Sequence, residues 1–362
     1  MKYRILDWLC CPATGEPLQL HVFHETEQNG ADLPEEYRKE IIDGIFTTSS
    51  GKVYPIIDAV PRFTDDSLIT YREFIQQYAE QLRNIAAVQE LIKSEDEFDD
   101  IRRSFSDEWE IFDYDQDNTW GWNLEQRKEV FRNDVAMSSD QLQGKVLFDA
   151  GCGNGSLTAK LTDFGLEVIG MDLHNGLARA QAKKGKFARG REHLVHYVQG
   201  NLFKPPFKKH TFDLIYSSGV IHHTPDSRQT FERIYPLVRE GGRVYVWVYG
   251  KRPLAVVLFQ GSGRMIRKVV PLKVLYLMCA VLAPFYKVTS EILNQLHIMH
   301  FRKRTTREIT LDLFDAFSPQ FNHRHTHDEV VEWFKRHHFR NVQISGIQKH
   351  GFGVYGDLEP QH

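Results

Sequence analysis

The chain has 362 residues, 41% of them hydrophobic, with 45 lysines and arginines against 48 acids and a formal net charge of −3. That length allows two domains or one domain with a large insertion, and that charge gives no global pull toward nucleic acid or anionic lipid. Cys10, Cys11, Cys152 and Cys279 form no disulfide framework, which points to a reducing cytosol. The apolar run after Met1-Lys2-Tyr3-Arg4 is too short for a signal peptide.

Residues 1–64 read as a small β-rich module. A Cys10-Cys11-Pro12 segment precedes a Thr14-Gly15 turn, and short strand-like runs follow at Leu18–Val22, Gly44–Phe46, Val53–Ile56 and Val60–Phe63. Its Cys-Pro turn and its Tyr54-Pro55-Ile56-x-Asp58-x-x-Pro61 ending resemble the zinc-ribbon domain that partners some tRNA and translation-factor methyltransferases. Zinc needs four soft or imidazole ligands, usually as two close pairs. Thr14 stands where a partner cysteine belongs, residues 46–50 hold none, and His21 and His24 lack pair spacing, so no metal is expected. The resemblance then implies a degenerate ribbon that packs on the rest of the chain or recognises a substrate.

Residues 65–143 are charged and helical in pattern, apart from an aromatic stretch holding Trp109, Trp120 and Trp122. Such tryptophans pack a core or, alternatively, fold over a ligand, with Trp120 the candidate for contact with a substrate. Arg127 suits bidentate pairing with a carboxylate and equally a solvated helix face.

The segment 144–250 carries the strongest signal. An apolar strand, Val146–Ala150, breaks into Gly151-Cys152-Gly153-Asn154-Gly155, where closely spaced glycines let the backbone turn tightly and a ligand approach it. A helix follows, with Leu157, Leu161 and Phe164 on one face and Gly165 to stop it. The next strand, Val168–Met171, ends in Asp172, where an acid grips a ribose diol in doubly wound sheets. That much also fits NAD, but Ser156 occupies the sixth position of G-x-G-x-x-G, and Asp149 precedes the first glycine by two residues.

In both respects the stretch resembles the class I S-adenosylmethionine (SAM) methyltransferases, whose signature is Asp-x-Gly-x-Gly-x-Gly. The resemblance implies an α/β fold: a Rossmann-like seven-stranded sheet, here with a helical cap insertion and the small N-terminal β-rich domain. It implies SAM as cofactor, held by Asp149, Gly151, Gly153, Gly155, Asp172, Asn201, Leu202 and Ser217. Asn201 would bond the adenine amino group and Leu202 would lie under the ring.

The fourth strand, from Phe212, exits at Ser217-Ser218-Gly219-Val220-Ile221-His222-His223, so both histidines should face an acceptor. Asp226 opens a helix, and Gly241-Gly242 turns into a fifth strand, Val244–Tyr249, whose end offers Tyr249 to the substrate. Enzymes that methylate amines of bases or glutamine carry Asn/Asp-Pro-Pro-Tyr/Phe at this exit, and its absence disfavours an RNA or DNA role.

Residues 251–319 are too many for a sheet connection. Val269–Val288 is the most apolar stretch, and Pro271, Lys273 and Pro284 are expected to interrupt it as a membrane span. A buried cap over the site is expected, and an interfacial helix touching a membrane or a lipid-linked acceptor is the alternative. Residues 320–362 hold His323, His325 and His327, spaced too weakly for a metal, then a Thr326–Glu329 capping box, a helix and two antiparallel strands completing the sheet.

The expected chemistry is transfer of the SAM methyl to a small-molecule, glycan or lipid-linked acceptor, with oxygen favoured. His222 or His223 would act as base, with His325 a second choice. A nonmethylating SAM-binding scaffold and a methyltransferase acting on a translation component are the alternatives. The units expected are 1–64, 65–143, 144–250, 251–319 and 320–362, in a cytoplasmic protein with a peripheral membrane contact through the cap as the variant.

Overall fold

The computed structural model describes residues 1–27, 33–64, 67–83, 122–297, 304–348 and 350–360, with Ile85 and Val88. Trp109 and Trp120 lie outside the described residues.

Eleven strands among these residues form one sheet. They are β1 (Gln19–Glu27), β2 (Lys39–Thr47), β3 (Val53–Ile57), β4 (Val60–Phe63), β5 (Val146–Ala150), β6 (Glu167–Asp172), β7 (Val195–Gly200), β8 (Phe212–Ser218), β9 (Val238–Tyr249), β10 (Phe339–Gln348) and β11 (Gly351–Leu358). Their order is β1-β2-β3-β4-β7-β6-β5-β8-β9-β11-β10. From β7 onward this is a seven-stranded Rossmann-like sheet. Strands β5 to β9 pair in parallel in the order β7-β6-β5-β8-β9, and β11 runs antiparallel between β9 and β10. The order reverses between β5 and β8, which places a ligand crevice beyond their carboxyl ends.

Parallel strands covered on both faces must be apolar on both. Phe148, Ile169, Ile215, Val244 and Val246 enter one core, while Leu147, Val168, Leu214, Tyr216 and Tyr245 enter the other, as the two-residue side-chain period requires. Helices α1 (Leu124–Asp134), α2 (Ser156–Lys160), α3 (Leu177–Ala188) and α4 (Ser227–Ile234) accompany these strands. The expected helix after Gly155 is present but tightens into a 3-10 turn at Leu161–Phe164 before Gly165, at φ 72°, ends it. The fifth strand starts earlier than expected, at Val238, because Arg239–Gly242 bulge out between the pairs Phe212↔Val238 and Leu214↔Arg243.

The N-terminal strands are not set apart from this core. Strand β4 pairs in parallel with β7 through Arg62↔Gln199 and Phe63↔Gly200, so the module lengthens the main sheet. Below that seam, the buried Glu40 carboxylate meets the Lys184 ammonium of α3 at 3.1 Å and the Gln181 amide at 2.8 Å, with Lys2 at 3.5 Å. Tyr37 and His196 both reach Glu167 at 3.0 Å. Among the described residues no group of three or more His, Cys, Asp or Glu could hold a metal ion, and buried Cys11 lies 3.4 Å from the Tyr54 hydroxyl. The β-rich part of the expectation for this module is met by strands β1 to β4.

The insertion consists of α5 (Leu254–Arg267), α6 (Leu272–Gln295) and α7 (Thr306–Phe317), then α8 (His327–Arg336) returns to the core. Pro284 was expected to interrupt the apolar run, but α6 passes through it unbroken, and Pro271 is only its N-cap. Buried Leu275, Cys279 and Ala283 hold α6 against Ile309, Leu313 and Phe317, which offsets the hydrogen bond that proline removes. The capping boxes Thr305/Glu308 and Thr326/Glu329 start α7 and α8.

Candidate active site

Strand β5 ends where the chain must turn back beside β6, and Gly151, Gly153 and Gly155 take φ of 92°, 55° and 72°, a region costly for residues with a Cβ. Space is short as well: a Cβ on Gly151 would lie 2.3 Å from the Val220 side chain, and one on Gly155 would lie 2.6 Å from the Tyr197 ring. The loop is also tied by hydrogen bonds. Gly151 N–H donates to Met171 O at 2.9 Å, Gly153 N–H to Asp172 Oδ2 at 2.9 Å, and the Tyr197 hydroxyl to Gly155 O at 2.7 Å.

His174 closes a further tie. Its Nδ1 accepts from Gly176 N–H at 2.9 Å, so the proton sits on Nε2, which donates to Gly153 O at 2.8 Å. Neither Tyr197 nor His174 was singled out from the sequence, because each reaches the loop from a different strand end.

Asp172 accepts Gly153 N–H on one oxygen and Leu173 N–H on the other, at 2.8 Å. The Leu173-bonded oxygen also accepts His174 N–H at 3.5 Å, so Oδ2 is the oxygen that keeps an acceptor site for a hydroxyl. Asp149 is buried, and burial raises its pKa to about 6 against the Thr158 hydroxyl bond at 2.6 Å and the Arg127 charge; Asp172 adds to the rise. Arg127 thus faces the end of β5 from α1. Burial lowers its own pKa while Tyr216 and Asp149 act against that.

The other expected cofactor residues sit around this loop in different ways. Asn201 is exposed at the end of β7, and its Oδ1 accepts Phe203 N–H at 2.9 Å, closing a turn. Leu202 is buried in the core beneath that turn. Ser217 is fully buried and gives its hydroxyl to Ala150 O at 3.0 Å, so its side chain pins β8 to β5.

Past β8 the chain makes a 3-10 turn, Ile221–His223, seated against the glycine loop through Val220. The His222 ring is buried, 4.0 Å from the Tyr249 ring, 4.2 Å from that of His223 and 6.0 Å from Trp247, centroid to centroid. Neither of its nitrogens makes a hydrogen bond of good geometry among the described residues, although the Trp247 backbone lies close enough to favour its charged form. Burial drives its pKa well down, and His223, His325 and His323 push the same way.

His223 is half-buried, and its Nδ1 lies 3.0 Å from Phe321 O. A carbonyl only accepts, so Nδ1 carries the proton and Nε2 is left with the lone pair.

His325 is placed elsewhere than the sequence suggested. Its Nδ1 donates to Glu329 Oε1 at 2.7 Å and its Nε2 accepts from the Ser227 hydroxyl at 3.0 Å, with the ring against Trp333. Both nitrogens are engaged and the residue is buried, so it ties α4 to α8 and has neither proton nor lone pair for an acceptor.

Residues 148–246 match the family model described as "Methyltransferase domain". The chain is 29% identical over 109 residues to phosphoethanolamine N-methyltransferase 2 of Caenorhabditis elegans, covering 30% of this chain and 24% of that protein. It is 30% identical over 109 residues to sterol 24-C-methyltransferase of Saccharomyces cerevisiae, covering 29% and 28%. It is 26% identical over 140 residues to ubiquinone biosynthesis O-methyltransferase of Aeromonas salmonicida, covering 38% and 57%. The chain thus spans less than two thirds of each relative's own length. By their names the three methylate at nitrogen, carbon and oxygen, so what they share with this chain does not carry the acceptor atom.

Proposed function

We propose that this chain is a class I SAM-dependent methyltransferase that methylates a hydroxyl of a small-molecule, glycan or lipid-linked acceptor. The observation that carries the reading is the glycine loop tied to Asp172 at the sheet's switch point, with the His223 ring, its proton on Nδ1, in the turn that leaves β8. The donor set fits the cofactor. Asp172 would take the ribose diol, Asn201 the adenine edge, Arg127 the carboxylate and Asp149 the ammonium of the methionine part.

Bound SAM supplies an electrophilic methyl on a sulfonium. The chain's task is then to align two partners away from water and to receive one proton. The ring cluster of Tyr249, Trp247 and His222 walls the site with apolar faces. His223 Nε2 would accept the proton of the acceptor hydroxyl, and the Phe321 carbonyl would steady the imidazolium through Nδ1–H. Base catalysis of this kind is worth roughly 10²–10⁴ in rate. No nucleic acid enters this reading; the enzyme works in the cytoplasm with its cap at a membrane surface.

Calorimetry with S-adenosylhomocysteine and with NAD+ tests the cofactor half. Heat with the first alone, lost in Asp172→Ala, is expected; heat with NAD+ alone would overturn it. Methyl-labelled SAM with a metabolite and lipid extract tests the rest. Label transfer is expected to drop at least about a hundredfold in His223→Gln with homocysteine-product binding unchanged, and an undiminished rate would remove the base.

A further inference from the structure

On α6, Val274, Leu277, Val281, Phe285, Val288 and Ile292 recur every three or four residues and so share one face. That face is bare: Leu277 is 63% and Phe285 68% exposed. The opposite face, with Leu275, Cys279 and Ala283, is the one packed on α7. Where α5 ends, Met265 and Val269 continue the uncovered apolar surface, Val269 being 81% exposed. A contiguous patch of this kind marks an interaction site.

The charge around it is mainly positive, with Lys287 paired to Glu291 at 4.0 Å. Residues 251–297 hold seven lysines and arginines and a single acid, Glu291, in a chain whose net charge is −3. Lys268 and Lys273 are exposed beside Val269 and Val274. A basic apolar face on an otherwise acidic molecule complements an anionic, apolar-cored surface, and we propose that α6 with the end of α5 docks on an anionic phospholipid bilayer. The helix lies in the interface and does not span it. One side is committed to α7, and Lys273, Lys287 and Glu291 lie on its circumference, although by length and composition alone it could cross a membrane.

The docking deepens the reading of a membrane-peripheral methyltransferase and rests on it for its purpose. The insertion leaves the core at Tyr249 and rejoins it at His325, where His325 N–H donates to Tyr249 O at 2.9 Å. The docked face therefore belongs to a cap rooted at the ring cluster, and a lipid-borne acceptor would reach the site without crossing water.

Flotation of the full chain with vesicles of phosphatidylcholine alone, and of phosphatidylcholine with phosphatidylglycerol, tests this. The protein is expected to float with the anionic vesicles and to be released by salt and by alkaline carbonate. The pair Lys268→Glu and Lys273→Glu is expected to weaken binding on the order of tenfold or more. The pair Leu277→Glu and Phe285→Glu is expected to abolish it while S-adenosylhomocysteine still binds, which shows that the variants fold. Equal binding to both vesicle types, no binding to either, or retention after carbonate would overturn the proposal. So would a dimer in sedimentation velocity that the apolar pair dissolves, since the face would then join two copies. Vesicle binding is read without methyl transfer, so failure here is distinct from failure of the catalytic reading.

Discussion

Arg62 Nη1 donates to Gln199 Oε1 at 3.2 Å, across the seam between β4 and β7. The Gln199 amide in turn donates to Leu173 O at 3.0 Å and Asn175 Oδ1 at 2.6 Å, in the loop that leaves Asp172. A buried guanidinium of the N-terminal module therefore supports the loop beside Asp172, with the Tyr71 ring 5.1 Å beneath it.

Arg62→Lys keeps the charge and loses the planar fork. We expect S-adenosylhomocysteine affinity to fall about tenfold, roughly 1.4 kcal/mol, with no change in Arg336→Lys, an exposed residue off this network that pairs with Glu332. Calorimetry on both variants decides it; unchanged affinity in Arg62→Lys would make the network purely structural.

Gly155→Ala meets two penalties at once. The φ of 72° costs about 1–2 kcal/mol for an L side chain, and the new Cβ would press on the Tyr197 ring. Tyr197→Phe removes only the hydroxyl bond to Gly155 O, a loss of about 1 kcal/mol. Thermal melts should show the first variant well below the second, and cofactor binding should survive only in Tyr197→Phe.

Glu40 is held at a pKa of about 2, against burial, by Lys184, the N-terminal ammonium and Lys2. Its folded value lies below its unfolded one, so its contribution is complete above the ordinary value of 4.5 and fades as pH falls from there toward 2. Glu40→Gln leaves buried cations without their partner and should cost about 3–5 kcal/mol at neutral pH. Denaturant melts across the acid range should converge for the two proteins; a constant gap would contradict the linkage.

The β3–β4 hairpin turns on Asp58 and Ala59, at φ 53° and 62°. Two left-handed residues make a type I′ turn, for which Asp-Gly is the favoured pair. Ala59→Gly should therefore raise stability by about 1 kcal/mol, read as a higher urea midpoint at unchanged slope.

Much of the cofactor side was legible because it is local. Strand, glycine turn, helix and Asp172 follow one another within 30 residues, and each leaves its own mark in spacing and residue type. Contacts made at long range left no such mark. Arg62 and Gln199 are 137 residues apart, and neither reads as more than a polar strand residue. His325 looked like His223 on paper; only the packing of α8 on α4 shows that Ser227 and Glu329 consume both its nitrogens. Pro284 misled for a similar reason, since burial of one helix face outweighs a local breaker.

The parallel pairing of β4 with β7 also sets an order of events while the chain is being made. Strand β4 is complete at Phe63, yet its partner emerges only with Gly200. Throughout that interval a nascent chain presents a four-stranded meander whose β4 edge is still open, a template for strands of other chains. Closing so long a loop is slow, so fragments that stop short of β7 should collect in aggregates and draw chaperones, whereas chains that include it seal their own edge.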